Sequence, residues 1–298
     1  MNFVKPLSVF LLIAFTFGAC HINNTKRKLD TAYNYSQPKQ VINLPVNLYE
    51  ISGIAILDSS KVACIQDEEG FLYTYDLFRN EISEQITFTF DGDFEGITKV
   101  DSNLFVLRSD GNLFEISNLN SGNIIVKEYI SSIPANEFEG LCFDKSNKRI
   151  LVACKEEMPD SHKYRDKRLI FSFDMESNQF SDDPAIIIDM DSIKLFMSKN
   201  RVELPIIIKK NKIPGIPELK MQISDMCIHP ITQKLYLLSA SDYCLFIFSL
   251  EGRIEHVEIL NPLLFNQAEG ISFFENGDMA ISNEGNGSEP SLLIFKYN

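Results

Sequence analysis

Glu95, Glu139 and Glu269 each stand directly before a glycine at the head of an apolar run, in FEGITKV, FEGLCFD and AEGISFF. Ser52 in ISGIAIL and Ser224 in ISDMCIH complete the column, with successive gaps of 43, 44, 85 and 45 residues. Two residues before these markers stand Glu50, Asp93, Glu137, Gln222 and Gln267, all acids or amides. A third column follows 15 to 18 residues after each marker: Glu68, Asp110, Glu156, Asp242 and Glu284. Gathered at one place, such groups are hard oxygen donors, and calcium takes six to eight oxygens in flexible geometry. Carboxylates about 6 Å apart repel by roughly 3 kcal/mol at an effective dielectric near 20. A bound cation, protonation, or a basic neighbour such as Arg108 or Lys155 must therefore offset their crowding. Each acid taken alone could instead cap a turn or accept backbone amides, and paired carboxylates could serve as general acid and base. Soft metals lack ligands, because the chain has four His, none paired at ligand spacing, and no cysteine cluster.

The elements that would position these columns form a repeat. After each marker the sequence gives an apolar strand, a polar turn and a second strand, as in KVACIQ, NLFVLRS, RILVACK, KLYLLSA and DMAISN. A third follows in FLYTYDL, NLFEISN, RLIFSFD, CLFIFSL and SLLIFKY, and a fourth in ITFTF, IIVKEYI, AIIIDM and IEHVEIL. Four short strands per unit of about 44 residues is the pattern of a β-propeller blade. The chain ends after the third strand of its last unit, so VINLPV at 41–46 is expected to supply the missing outer strand and close the ring. The expectation is an all-β, five-bladed β-propeller over 39–298 with an insertion at 191–223 between blades 3 and 4. A degenerate sixth blade is the alternative. In a propeller the markers and the ends of the second strands share one face near the axis, so the columns converge at the mouth of the central channel.

The composition, 45% hydrophobic and 23% charged, is that of a folded domain, and a formal charge of −13 disfavours nucleic acid. At the N-terminus, MNFVKPLSVFLLIAFTFGAC has one lysine, an apolar run too short to span a bilayer, and small residues before Cys20. This layout resembles a bacterial lipoprotein signal: residues 1–19 would be removed, Cys20 acylated, and 20–38 left as a polar tether. The remaining cysteines, Cys64, Cys142, Cys154, Cys227 and Cys244, read as small buried hydrophobes, with a Cys142–Cys154 hairpin bridge as an alternative. His229 reads as a solvated turn residue on the face opposite the acids. No GxSxG, HExxH, P-loop or dinucleotide fingerprint is present.

The ordered set LYEISGIAI, QDEEGFLYTYD, GDFEGITKV, NEFEGLCFD, QAEGISFF and ISNEG resembles the SdiA-regulated (YjiK-like) family of bacterial propeller proteins over residues 40–298. The resemblance implies five blades, a calcium site and no established enzymatic activity. It assigns calcium to Glu95, Glu139 and Glu269 with the second-strand acids Glu68, Asp110, Glu156, Asp242 and Glu284. Ser52 and Ser224 depart from the acidic pattern. The function expected is that of a lipid-anchored binding or scaffold module of the cell envelope, on the outer membrane, recognising an envelope protein or small ligand. A calcium-dependent hydrolase of phosphate esters or lactones is the alternative.

Overall fold

The computed structural model describes residues 32–135, 137–158, 162–206 and 217–298. The expected signal peptide, Cys20, the first part of the tether and the centre of the insertion lie outside the described residues. Among the described residues, five antiparallel sheets surround one axis. Blade 1 comprises Ile51–Ile56, Lys61–Gln66, Phe71–Asp76 and Glu81–Thr87. Blade 2 comprises Phe94–Val100, Asn103–Arg108, Leu113–Ser117 and Ile125–Tyr129. Blade 3 has Phe138–Asp144, Arg149–Cys154 and Lys167–Asp174, and its outer edge is split between Gln179–Phe180 and Ile186–Asp189. Blade 4 comprises Asp225–Ile228, Leu235–Ser239, Cys244–Phe248 and Ile254–Ile259. Blade 5 takes Ala268–Phe273, Met279–Asn283 and Ser291–Phe295 from the C-terminal end, and its fourth strand is Gln40–Asn43. That strand pairs antiparallel with the last one, from Gln40 opposite Ile294 to Asn43 opposite Ser291, so the ring closes as the repeat predicts. No sixth blade occurs among the described residues.

The core lies between blades. Leu151 and Ile170 of blade 3 share one buried cluster with Leu237 and Phe246 of blade 4, and Tyr236 of blade 4 shares another with Ile281 and Phe295 of blade 5. Alternating apolar positions on each strand fill these gaps, and adjacent sheets pack face to face.

The insertion holds a helix that strand patterning does not anticipate, α1 (Met190–Asn200). The Asp189 side chain caps it by accepting from Ser192 N at 3.0 Å, and Arg201 ends it in the left-handed region at φ 54°. Met190, Ile193 and Met197, one helical face, are buried against blades 3 and 4. No helix among the described residues is long and apolar enough to cross a membrane.

Three further expectations change. His229 is fully buried: its Nε2 lies 2.8 Å from Tyr33 Oη, and its Nδ1 accepts from Ile231 N and Thr232 N at 3.1 Å. Tyr33 and Tyr35, inside the stretch expected to be tether, are buried, and Tyr33 Oη donates to Gly277 O at 2.5 Å. The aromatic cluster of Tyr33, Tyr236, Phe273 and Tyr297 therefore encloses the imidazole and keeps water from it. The Cys142–Cys154 bridge is excluded by register, because Cys142 lies opposite Leu151 while Cys154 lies opposite Phe138.

Candidate functional site

Each acid-Gly marker is a β-bulge. Register slips between Ile51 and Gly53, Phe94 and Gly96, Phe138 and Leu141, and Ala268 and Gly270, so Ser52, Glu95, Glu139 and Glu269 are the extra residues. A bulge re-aims its side chain, here at the strand entrance near the axis. The glycines permit close packing of the inner strands. A Cβ on Gly53 would meet Ile97 N at 3.1 Å, and one on Gly96 would meet Leu141 N at 3.2 Å.

Blade 4 breaks the rule with Asp225 in the glycine position, a residue that sequence reasoning passes over. Its carboxylate reaches both flanking inner strands, accepting from Leu141 N of blade 3 at 3.3 Å and Ile271 N of blade 5 at 2.8 Å. It is 1% exposed. Burial drives its pKa well above the ordinary value, against the pull of the Ile271, Met226 and Leu141 amides. Asp225 thus ties three inner strands together beneath the mouth.

Above this tie, the ring is strongly coupled. Burial first, then the charge of Asp93, push Glu95 up to about 8. Glu139 is pushed up to about 9 by burial and by Glu95, although Lys155 opposes the shift. Burial also raises Glu269, against hydrogen bonds from Ser224 and Gln267 and the charge of Lys155. Glu284 reaches about 7 through burial and the charges of Glu269, Asp67 and Glu50. Asp67 reaches about 6 through burial and the charges of Glu50 and Glu68. The positive charge among them is Lys155, whose Nζ lies 2.5 Å from Glu139 Oε1 and 3.5 Å from Glu137 Oε2. Burial disfavours its charge, but Glu139, Glu137 and Glu95 outweigh that and raise its pKa.

Of the eight acids expected as ligands, Glu95, Glu139, Glu269 and Glu284 belong to this coupled group. Glu68 is exposed beside Asp67, which takes the inward place in blade 1. Glu156 is exposed and accepts from Gln222 Nε2. Asp110 is held by Arg108 at 2.8 Å and by Asn112 N at 3.1 Å. Asp242 accepts from Met221 N at 2.6 Å, Ser239 Oγ at 2.9 Å and Lys220 N at 3.0 Å, which anchors the end of the insertion. Arg108, expected beside the ring, instead bridges Asp110 and the outer-strand Glu128.

The donor set is hard oxygen throughout, which is calcium's chemistry. As the side chains stand, Lys155 engages Glu139, and among the described residues no group of three or more His, Cys, Asp or Glu is poised to hold a metal ion.

No family model matches the sequence, and no curated protein matches it. Among solved structures, Myxococcus xanthus glutaminyl cyclase is similar with a TM-score of 0.60 and 12% identity, over 88% of this chain and 96% of that one. The PQQ-bound aldose sugar dehydrogenase of Streptomyces coelicolor has a TM-score of 0.54 and 10% identity, over 88% and 98%. At such identity these likenesses establish the propeller fold alone.

Proposed function

We propose that this chain is a lipid-anchored binding or scaffold propeller of the cell envelope, akin to the SdiA-regulated group, whose acidic mouth accepts positive charge from outside. The observation that carries this is the coupled set of Glu95, Glu139 and Glu269, whose crowding is only partly offset by Lys155. Calcium would be held by these three glutamates, with Asp67 and Glu284 adding charge, and would supply the positive charge that Lys155 now supplies. A cationic group of an envelope protein or small ligand meets the same field.

Two features support a binding face. The crossovers leading into blades 1, 2, 3 and 5, on the acid side, each carry an exposed apolar residue: Val46, Phe90, Ile130 and Leu263, between 68% and 94% exposed. Such side chains flanking a charged centre suit a protein partner. The docking of Tyr33 against Gly277 and His229 brings the N-terminal chain in on the opposite face. An anchor at Cys20, on the outer membrane, would leave the acids looking away from the bilayer.

Calorimetric titration of the chain lacking residues 1–20 with calcium tests the site. A binding heat in the parent that is lost in Glu139→Gln and Glu269→Gln is expected; equal responses would overturn the assignment.

An enzyme is the second possibility, favoured by carboxyls raised toward or above neutrality beside an ammonium, the pairing that acid-base catalysis requires. Turnover of phosphate esters, lactones or an N-terminal glutaminyl peptide, with and without EDTA, separates the two. A calcium-induced thermal shift without turnover supports the binding module.

A further inference from the structure

Below the acids the axis carries a second ring, three residues past each marker: Ala55, Thr98, Cys142, Cys227 and Ser272, all small. Three of them accept a backbone N–H from the following blade, always at the same place. Thr98 Oγ1 takes Phe143 N at 3.2 Å, Cys142 Sγ takes Ile228 N at 3.0 Å, and Ser272 Oγ takes Ile56 N at 3.1 Å. This relay sets Cys142 and Cys227 at equivalent positions on adjacent inner strands, with Cys142 Sγ 3.0 Å from the amide nitrogen of the residue that follows Cys227. All five described cysteines are free in this structure.

We propose that Cys142 and Cys227 are a disulfide-forming pair that staples the inner strand of blade 3 to that of blade 4. The two strands belong to different sheets, and the chain between them carries the insertion, so a covalent link would join what the ladders do not. Cys142 is 2% exposed and Cys227 is more accessible, so oxidation enters at Cys227. Its thiolate attacks a disulfide oxidant of the oxidised-glutathione class, forming a mixed disulfide and releasing one thiolate. Cys142 then loses its proton and attacks Cys227 Sγ, expelling the second thiolate. Two protein thiols become one disulfide, and their two protons pass to the two expelled thiolates, so the oxidant's disulfide is reduced to two thiols. Burial, the Cys227 contact and the Asp225 charge raise the Cys142 thiol well above its ordinary value, so the second step quickens with rising pH.

The experiment treats the full chain with oxidised glutathione at alkaline pH and digests it with trypsin without reduction. Cys142 and Cys227 fall in separate single-cysteine peptides, 128–145 and 221–234. A linked pair of these peptides is expected, with a rise of about 5–10 °C in the thermal midpoint over the dithiothreitol-treated protein. Cys227→Ser should abolish that rise and Cys154→Ser should retain it. A glutathione adduct persisting on Cys227, a link to another cysteine, or both thiols still alkylated after oxidation would overturn the proposal. Because the parent protein alone gives the peptide map, a variant that folds poorly does not obscure the result.

Discussion

Lys155 Nζ and Glu139 Oε1, 2.5 Å apart, lie at the only entrance-and-exit pair of the described ring where the second strand ends in a cation. In blades 1 and 5 the corresponding second-strand ends are Asp67 and Glu284, and in blade 2 Ser109, each donating its N–H to the carbonyl of the residue two before the marker. One lysine therefore serves an otherwise anionic mouth. Lys155→Met leaves Glu139 without its partner while Glu95 and Glu269 remain close. A loss of about 1–3 kcal/mol at pH 9, shrinking toward pH 6 as Glu139 and Glu95 take up protons, is expected from urea unfolding at the two pH values. The same variant should bind calcium more tightly if the mouth is the cation site; calorimetry against the parent reads this.

The raised carboxyls give stability a definite slope. Glu95 titrates near 8 and Glu139 near 9 in the folded chain, against an ordinary value of 4.5, so the native state holds protons that the unfolded chain has released. Stability must then fall as pH rises from about 5 to 9, by roughly 2–4 kcal/mol in total once partial solvent screening is allowed for. Lys155, raised rather than lowered, adds no slope in that window. Thermal midpoints measured at half-unit pH steps should decline across it, and Glu95→Gln should flatten the decline. A midpoint that climbs toward pH 9 would contradict the coupled ring.

Blade count, ring closure and the marker residues were legible because four-strand spacing and the Ser/Glu-Gly column survive in the sequence. The second-strand column was legible only in part. Reading Glu68, Asp110 and Glu156 as inward neighbours assumes an unbroken alternation of side chains. The bulges at Ser52, Glu95 and Glu139 insert one residue on the first strand, and the register then pairs Glu50 with Asp67, Asp93 with Ser109 and Glu137 with Lys155. A one-residue slip turns a side chain to the other face, which moves Glu68 outward and Lys155 inward. Asp225 escaped notice because it replaces a glycine that elsewhere allows close packing. His229 escaped because its partner Tyr33 lies 196 residues away in a stretch that looks like linker.

Asp225 offers a sharp test of the axis. Its two oxygens accept from Leu141 N and Ile271 N, and an asparagine could keep only one of these bonds with its carbonyl oxygen. Asp225→Asn should lose about 1–3 kcal/mol in chemical denaturation through the orphaned buried amide. Hydrogen exchange should quicken first at Leu141 or Ile271. If both amides stay protected as in the parent, the carboxylate is not what joins the strands.

The N-terminal chain adds stability from the far face. Tyr33 and Tyr35 are 5% and 7% exposed, Tyr33 Oη reaches both Gly277 O and His229 Nε2, and Asn298 N donates to Ala32 O at 3.0 Å. This clasp holds the turns of blades 4 and 5 beside the strand that closes the ring. A chain beginning at residue 37 keeps Gln40–Asn43 but lacks both tyrosines and leaves the His229 ring nitrogen without the phenol. Large buried aromatics cost about 3–5 kcal/mol when removed from a core, and here their loss also uncovers Tyr236 and Phe273. The shortened chain should therefore unfold several degrees below one beginning at residue 32, with the difference concentrated in blades 4 and 5 by hydrogen exchange. Tyr33→Phe keeps the ring and loses only the hydroxyl's bonds, so about 1 kcal/mol is expected. Equal midpoints for the two chain lengths would mean that the clasp contributes nothing to closure, leaving the Gln40–Asn43 ladder to hold the ring alone.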